Sequence, residues 1–139
     1  KPEAKAAMTG LTRDTNKSHI SFACLEGIAL TINDLITSIK NDSQLEIQEL
    51  KVDGGAVANN LLCNIQANIS EISIIRPKVI ETTAYGAALA AAIGVGIFQI
   101  NQISEKWKED KKFKKENNEY FQIKLNKWKA FQSLLFLKN

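Results

Sequence analysis

Leu50-Lys51-Val52-Asp53-Gly54-Gly55-Ala56-Val57-Ala58-Asn59-Asn60 is the stretch whose reading decides the fold of this chain. Leu50 and Val52 are alternate apolar positions of a short strand over residues 46–53. Two glycines follow Asp53, and Ala56 opens an apolar run through Val57, Leu61, Leu62 and Ile65 that predicts a helix over 56–69. Glycine permits unusual φ and close approach of a ligand to backbone. A helix start adds N–H groups without intrahelical acceptors, at the positive end of the dipole. Asn59 and Asn60 break the local rule, because asparagine is a poor residue for a helix interior. A local rule broken beside a glycine turn marks a candidate binding site. The plainer alternative is a solvated turn of the kind common in α/β proteins.

Working outward, the order of elements gives the fold class. Residues 6–11 read as a short strand or its end. A long helix follows over 17–40, with Leu25, Ile28, Ala29, Ile32, Leu35, Ile36 and Ile39 spaced as one buried face. Residues 72–75 form a short apolar strand closed by Arg76-Pro77. Thr82 or Thr83 is the expected N-cap of a small-residue helix over 84–93. Strand and helix alternate, which predicts an α/β domain with a largely parallel sheet. The alanines of the 84–93 helix predict close packing, deep in the core or at a domain junction. Lysines and acids intermix over 105–115, which reads as a solvated surface stretch rather than a nucleic-acid patch. A last helix over 117–137 carries Phe121, Leu125, Trp128, Phe131 and Leu135 on one docking stripe.

The 139 residues suffice for one domain. A chain of this size buries roughly two-thirds of its unfolded surface. A net charge of +3 gives no argument for nucleic acid. The uncharged run over 82–104 is built on Ala and Gly and ends in polar amides, so it reads as a buried helix rather than a membrane span. Cys24 and Cys63 stand far apart and read as reduced, buried thiols of a cytoplasmic protein. No signal peptide is visible, and a start at Lys1 reads as that of a fragment.

The chemistry is sparse. Neither a Walker A loop nor a dinucleotide fingerprint occurs, and Gly94-Val95-Gly96 carries Gln99 where the latter needs glycine. His19, the one histidine, reads as a capping or packing residue. Asp53 and Glu81 each stand before a helix, on the side where open α/β sheets bind ligands. Glu81 serves equally well as a dipole partner of its own helix. No metal-ligand spacing is present.

The run Val52 to Asn60 resembles the adenosine-binding motif of glycerol kinases, within the wider family of sugar and polyol kinases with the actin-like (ribonuclease H-like) ATPase fold. Gly10-Leu11-Thr12-Arg13, Thr15, Lys17, His19-Ile20, Ala23 and Leu25-Glu26 resemble a second signature. Arg76-Pro77, Glu81-Thr82-Thr83-Ala84 and Gly86-Ala87-Ala88 resemble a third, and Tyr120 and Trp128 are similar to the final helix. Asp14, Cys24 and the run Lys112-Phe113-Lys114-Lys115 depart from the pattern. The resemblance implies the later part of a second, nucleotide-binding domain spanning 1–139, with Gly54, Gly55 and Asn59 against ATP or ADP. It implies phosphoryl transfer from ATP to glycerol in the complete enzyme, with Mg²⁺. The family's catalytic carboxylate and glycerol-binding residues lie upstream of the matched stretch, so no catalytic residue and no metal ligand is expected in this chain. Alone it is expected to be inactive, prone to form homo-oligomers, and without nucleic-acid or membrane partners. The alternatives are another kinase of the same family and a non-catalytic remnant or interaction module.

Overall fold

The computed structural model describes residues 6–116 and 118–136, with side chains through 133. The elements run α1 (Lys17–Ser43), β1 (Glu49–Lys51), a 3₁₀ turn (Gly55–Ala58), α2 (Asn60–Ser70), β2 (Ser73–Pro77), α3 (Thr82–Gly94), a second 3₁₀ turn (Ile100–Gln102), α4 (Ile103–Lys106), β3 (Glu109–Phe113) and α5 (Glu119–Phe136). The sheet order is β1-β2-β3. β1 and β2 are parallel, Leu50 beside Ile74, and joined through α2. β3 is antiparallel to β2, so the sheet is mixed.

Local chemistry sets the ends of α1. Asn16 accepts from the backbone of Ser18 and His19, while the His19 Nδ1 accepts from the Asn16 N–H at 3.2 Å. His19 is therefore a capping residue, completing a reciprocal cap of the capping-box kind. The helix runs three residues past the expected end, to Ser43, and stops where Gln44 turns left-handed at φ 57°.

The core has two parts. Ile36, Val57, Cys63, Ala67, Ile72, Ile74 and Phe113 pack between the helices and the sheet. Ala29, Leu30, Leu62, Ile65 and Ile69 join α1 to α2, with Phe121, Leu125 and Trp128 of α5 against them. This is the docking stripe expected of the last helix, though the Leu135 side chain lies outside the described residues. Two carboxylates of α1, buried Glu26 and half-buried Asp34, hold α5 as well. Glu26 accepts from the Tyr120 hydroxyl at 2.7 Å and pairs with Lys124 at 3.1 Å. Asp34 accepts from the Trp128 indole at 2.8 Å and from Gln132 at 2.7 Å. By length and mean hydropathy (1.4) α1 could cross a membrane; here its carboxylates are bonded to α5.

The clamp makes stability depend on alkaline pH. Burial raises Tyr120 above its ordinary value, and the Glu26 carboxylate adds to this against the opposing effect of Lys124. Burial alone would lower Lys124, but its bonds to Tyr120 and Glu26 overrule it and the net shift is upward. A raised folded value stabilises fully below the unfolded value, about 10 for both groups, and the gain is lost as pH rises through the folded value. Denaturation midpoints should therefore be insensitive to Tyr120 and Lys124 from neutrality to about pH 10 and fall above it. Tyr120→Phe should flatten the tyrosine part of that fall, read by urea titrations at stepped pH.

Four expectations are corrected. Residues 6–11 form no strand: they are exposed coil. Instead the third strand is Glu109–Phe113, inside the lysine-rich stretch. Only Phe113 is buried there, at 2% exposure, so one apolar anchor suffices while charges guard the edge. α3 contains no buried residue, so its alanines do not pack deep within the described fold. Of the expected α1 face, Ala29 and Ile36 are buried, but Ile28, Ile32, Leu35 and Ile39 are exposed; Leu30, Glu26 and Asn33 take their place. The apolar arc is wider than the one face α2 and α5 cover. Cys24 is exposed, while Cys63 is buried, and burial raises its thiol despite Arg76 and Lys111.

Candidate nucleotide-binding site

The helix after the glycine turn starts four residues later than expected, and this resolves the asparagine anomaly. Residues Gly55–Ala58 form a 3₁₀ turn, and α2 begins at Asn60. Asn59 is the N-cap in extended conformation, and its Oδ1 accepts from Leu61 N at 2.9 Å and Leu62 N at 3.2 Å. Capping suits asparagine for the same reason that a helix interior does not.

Gly54 has φ 85° and ψ 167°, a region essentially closed to residues with a Cβ. Its N–H donates to Ile80 O at 2.7 Å, tying the turn to the segment before α3. Gly55 has ordinary φ, and a Cβ there would meet only Glu81 Oε1 at 3.9 Å. Val57 is buried and anchors the turn in the core. The first N–H groups of the turn, at Gly55 and Ala56, have no acceptor within it, and both residues are exposed.

Asp53 and Thr82 close the other side of this rim. The Thr82 hydroxyl donates to Asp53 Oδ2. Thr82 is the first residue of α3, so the carboxylate also lies at a helix N-terminus, a favourable place for it. The N-cap position falls on Glu81, not on Thr82 or Thr83, and no side chain caps it. The structure thus brings Asp53, Gly54, Gly55 and Asn59 together with Ile80, Glu81 and Thr82, segments separated by two crossings of the sheet. α2 has no acid in its first turn and an uncharged N-cap, which leaves its start electropositive, whereas Asp53 and Glu81 both stand at the start of α3.

Arg76 has a role that motif spacing did not reveal. Its Nη1 donates to Val57 O at 2.9 Å, Ala58 O at 3.4 Å and Asn60 Oδ1 at 2.9 Å. Its Nε donates to Asp110 Oδ2 at 2.8 Å, and Nη2 pairs with the same oxygen at 2.7 Å. One guanidinium therefore fixes the back of the turn to β3. Its place just before Pro77 at the strand end was the available signal.

The rim can present backbone N–H donors and an asparagine amide to a ligand with acceptor atoms. Because Asn59 Oδ1 is engaged as the cap, the group left for a ligand is its Nδ2 donor. Asn59→Asp should then keep the cap and lose ligand affinity, whereas Asn59→Ala should lose both, with about 1 kcal/mol of stability. Urea unfolding alongside a nucleotide titration separates the two. Among the described residues no three His, Cys, Asp or Glu side chains gather as a metal site.

Comparisons with known proteins identify the family. The profile of the FGGY family of carbohydrate kinases, C-terminal domain, matches residues 1–95. A glycerol kinase of Pseudarthrobacter chlorophenolicus is 46% identical over 114 residues, which is 81% of this chain and 23% of that protein. One of Haloferax volcanii is 39% identical over 127 residues, 91% of this chain and 25% of that protein. The chain thus spans about a quarter of the length of these relatives. Among solved structures, Plasmodium falciparum glycerol kinase with ADP superposes with a TM-score of 0.82 at 28% identity, over 99% of this chain and 28% of that one. Xylulose kinase of Rhodospirillum rubrum (TM-score 0.78, 20% identity, 96% of this chain and 28% of that one) shares the fold.

Proposed function

We propose that this chain, which belongs to the FGGY family of carbohydrate kinases, supplies the nucleotide-facing wall of a glycerol kinase, as the later part of its second domain. The observation that carries this reading is the open rim of Gly54, Gly55 and Asn59, with exposed donors at a helix start and a φ that only glycine adopts. The identities of 39–46% are to glycerol kinases, which favours glycerol over a pentulose or gluconate as acceptor. The solved relative with ADP supports ATP or ADP as the nucleotide. In the complete enzyme ATP supplies the phosphoryl group. Mg²⁺ in the complete enzyme would be held largely by the ATP phosphates and neutralise their charge. The cytoplasm is the compartment this reading implies, with no nucleic-acid or membrane partner.

By itself the chain is expected to be catalytically silent. Phosphoryl transfer needs positioning and charge stabilisation at the γ-phosphate, and the rim offers neither a lysine or arginine grip nor a placed base. A few neutral hydrogen bonds of about 0.5–1.5 kcal/mol each barely reach the roughly 4 kcal/mol of a millimolar constant. Purified chain with ATP, Mg²⁺ and glycerol should yield no glycerol 3-phosphate, and calorimetry should show at most millimolar ATP binding. Turnover, or micromolar affinity, would contradict this reading. Self-association belongs to it too: Ile28, Ile32, Leu35 and Ile39 are exposed on α1, and Val95, Ile97 and Ile100 beyond α3.

A further inference from the structure

Two asparagines follow the glycine turn, and the cap made by Asn59 leaves the second, Asn60, unexplained. Asn60 is exposed and is the first residue of α2, and its side chain takes no part in the cap. Its Oδ1 instead accepts from Arg76 Nη1 at 2.9 Å. The same nitrogen donates to Val57 O at 2.9 Å and Ala58 O at 3.4 Å, on the other side of Asn59. One guanidinium nitrogen thus binds both the 3₁₀ turn and α2.

That joint has little else to hold it. On the turn side, Val57 N bonds to Gly54 O and Asn59 N to Ala56 O. On the helix side, Cys63 N bonds to Asn59 O, and Asn59 Oδ1 accepts from Leu61 and Leu62. Asn59 itself is extended between them, at φ −79° and ψ 105°. Among the described residues no backbone N–H reaches Val57 O or Ala58 O. Apart from the weak Cys63 thiol at 3.4 Å from Val57 O, their donor is Arg76. The guanidinium is in turn fixed to the sheet: Nε and Nη2 both bond Asp110 Oδ2, and its carbon stands 5.3 Å from the centre of the Phe113 ring. A planar fork held at its far side places its remaining nitrogen with little freedom. The groups the rim offers to a ligand come from both sides of this joint. Gly55 and Ala56 N–H belong to the turn, and Asn59 Nδ2 belongs to the cap of α2. Hydrogen bonds weaken steeply when misaligned, so these donors act together only if their spacing is held.

We propose that Arg76 and Asn60 are positioning residues for the nucleotide: the guanidinium locks the glycine turn to the start of α2 and so sets the spacing between the Gly55 and Ala56 donors and the Asn59 amide. The proposal rests on the reading of this rim as the nucleotide-facing wall. Neither side chain touches the ligand. Asn60 serves through its acceptor oxygen alone, a role an aspartate at the same place fills equally well. Its neighbour Asn59 has the opposite requirement, since there the amide donor is the group left for the ligand.

Arg76→Ala removes too many bonds at once for binding to be read apart from folding, so the test cuts only the arm to α2. The whole chain is titrated with adenosine and followed by backbone amide chemical shifts, with circular dichroism and thermal melts to verify folding. Adenosine is uncharged, so a charge added at residue 60 has no phosphate to repel. The wild type should show shifts at Gly55, Ala56 and Asn59. N60A should keep the wild-type fold and raise the adenosine midpoint about fivefold. N60D, which keeps an acceptor for Arg76, should restore the midpoint. A wild-type rim that adenosine leaves unmoved overturns this proposal together with the nucleotide-wall reading. Rim shifts with the same midpoint in N60A and wild type overturn the positioning role and leave the wall standing. N60D as weak as N60A overturns it too, because the Asn60 amide would then be serving the ligand itself rather than Arg76.

Discussion

Alanine in place of Arg76 is expected to lower the unfolding free energy by about 3 kcal/mol. The side chain is 12% exposed, and its removal leaves Asn60 Oδ1 and the Asp110 carboxylate without their donor and Val57 O with only the weak Cys63 thiol at 3.4 Å. Val57 lies in the core, so its carbonyl gains little from water in exchange. Asp110→Asn should cost under about 1 kcal/mol, because that carboxylate is 43% exposed and solvent replaces most of the pair. Lysine should not rescue: one ammonium cannot reach acceptors on both the turn and β3 as a planar fork does. Urea unfolding of the three variants gives the order directly. Equal losses for the Arg76 and Asp110 variants would place the energy in the ion pair rather than in the grip on the turn.

The second large effect separates two adjacent glycines. Gly54→Ala should destabilise the chain by about 1–3 kcal/mol, since it forces a Cβ into φ 85°, ψ 167°. Gly55→Ala should fold normally, because its Cβ meets nothing closer than 3.9 Å. The same methyl would stand on the exposed face of the turn, so nucleotide binding should be lost although stability is kept. Thermal melts and an ADP titration of both variants read this split. Wild-type ADP binding by Gly55→Ala would remove the backbone contact from the account.

Much of this was legible in the chain because burial leaves a periodic trace. The stripe Phe121-Leu125-Trp128 announced the docking of α5, and Leu50, Val52, Ile74 and Ile75 announced the parallel pair. The signal failed where structure rests on one residue or on none. β3 has Phe113 as its only buried side chain, and its lysines read as solvated surface, which four of its five residues largely are. Residues 6–11 show the reverse, since a short apolar run looks like a strand whether or not one forms. The small residues of α3 predict close packing but do not say against what. At the site, Gly54 and Gly55 stood out as a turn and Asn59 as a residue ill suited to a helix interior, and the structure makes Asn59 the N-cap, where that rule does not apply. Asp53 to Thr82 and Arg76 to Asn60 are contacts between sequence-distant side chains. Nothing local to either partner encodes them.

We propose that the Gly54 to Asn59 rim faces the nucleotide, which a titration of the isotope-labelled chain with ADP, followed by backbone amide chemical shifts, checks. Shifts should concentrate at Gly54, Gly55, Ala56 and Asn59 and at Glu81 and Thr82 across the rim, saturating at about millimolar ADP. An unchanged rim at saturating ADP, or shifts confined to another surface such as the cleft between Glu71 and Glu119, would contradict it.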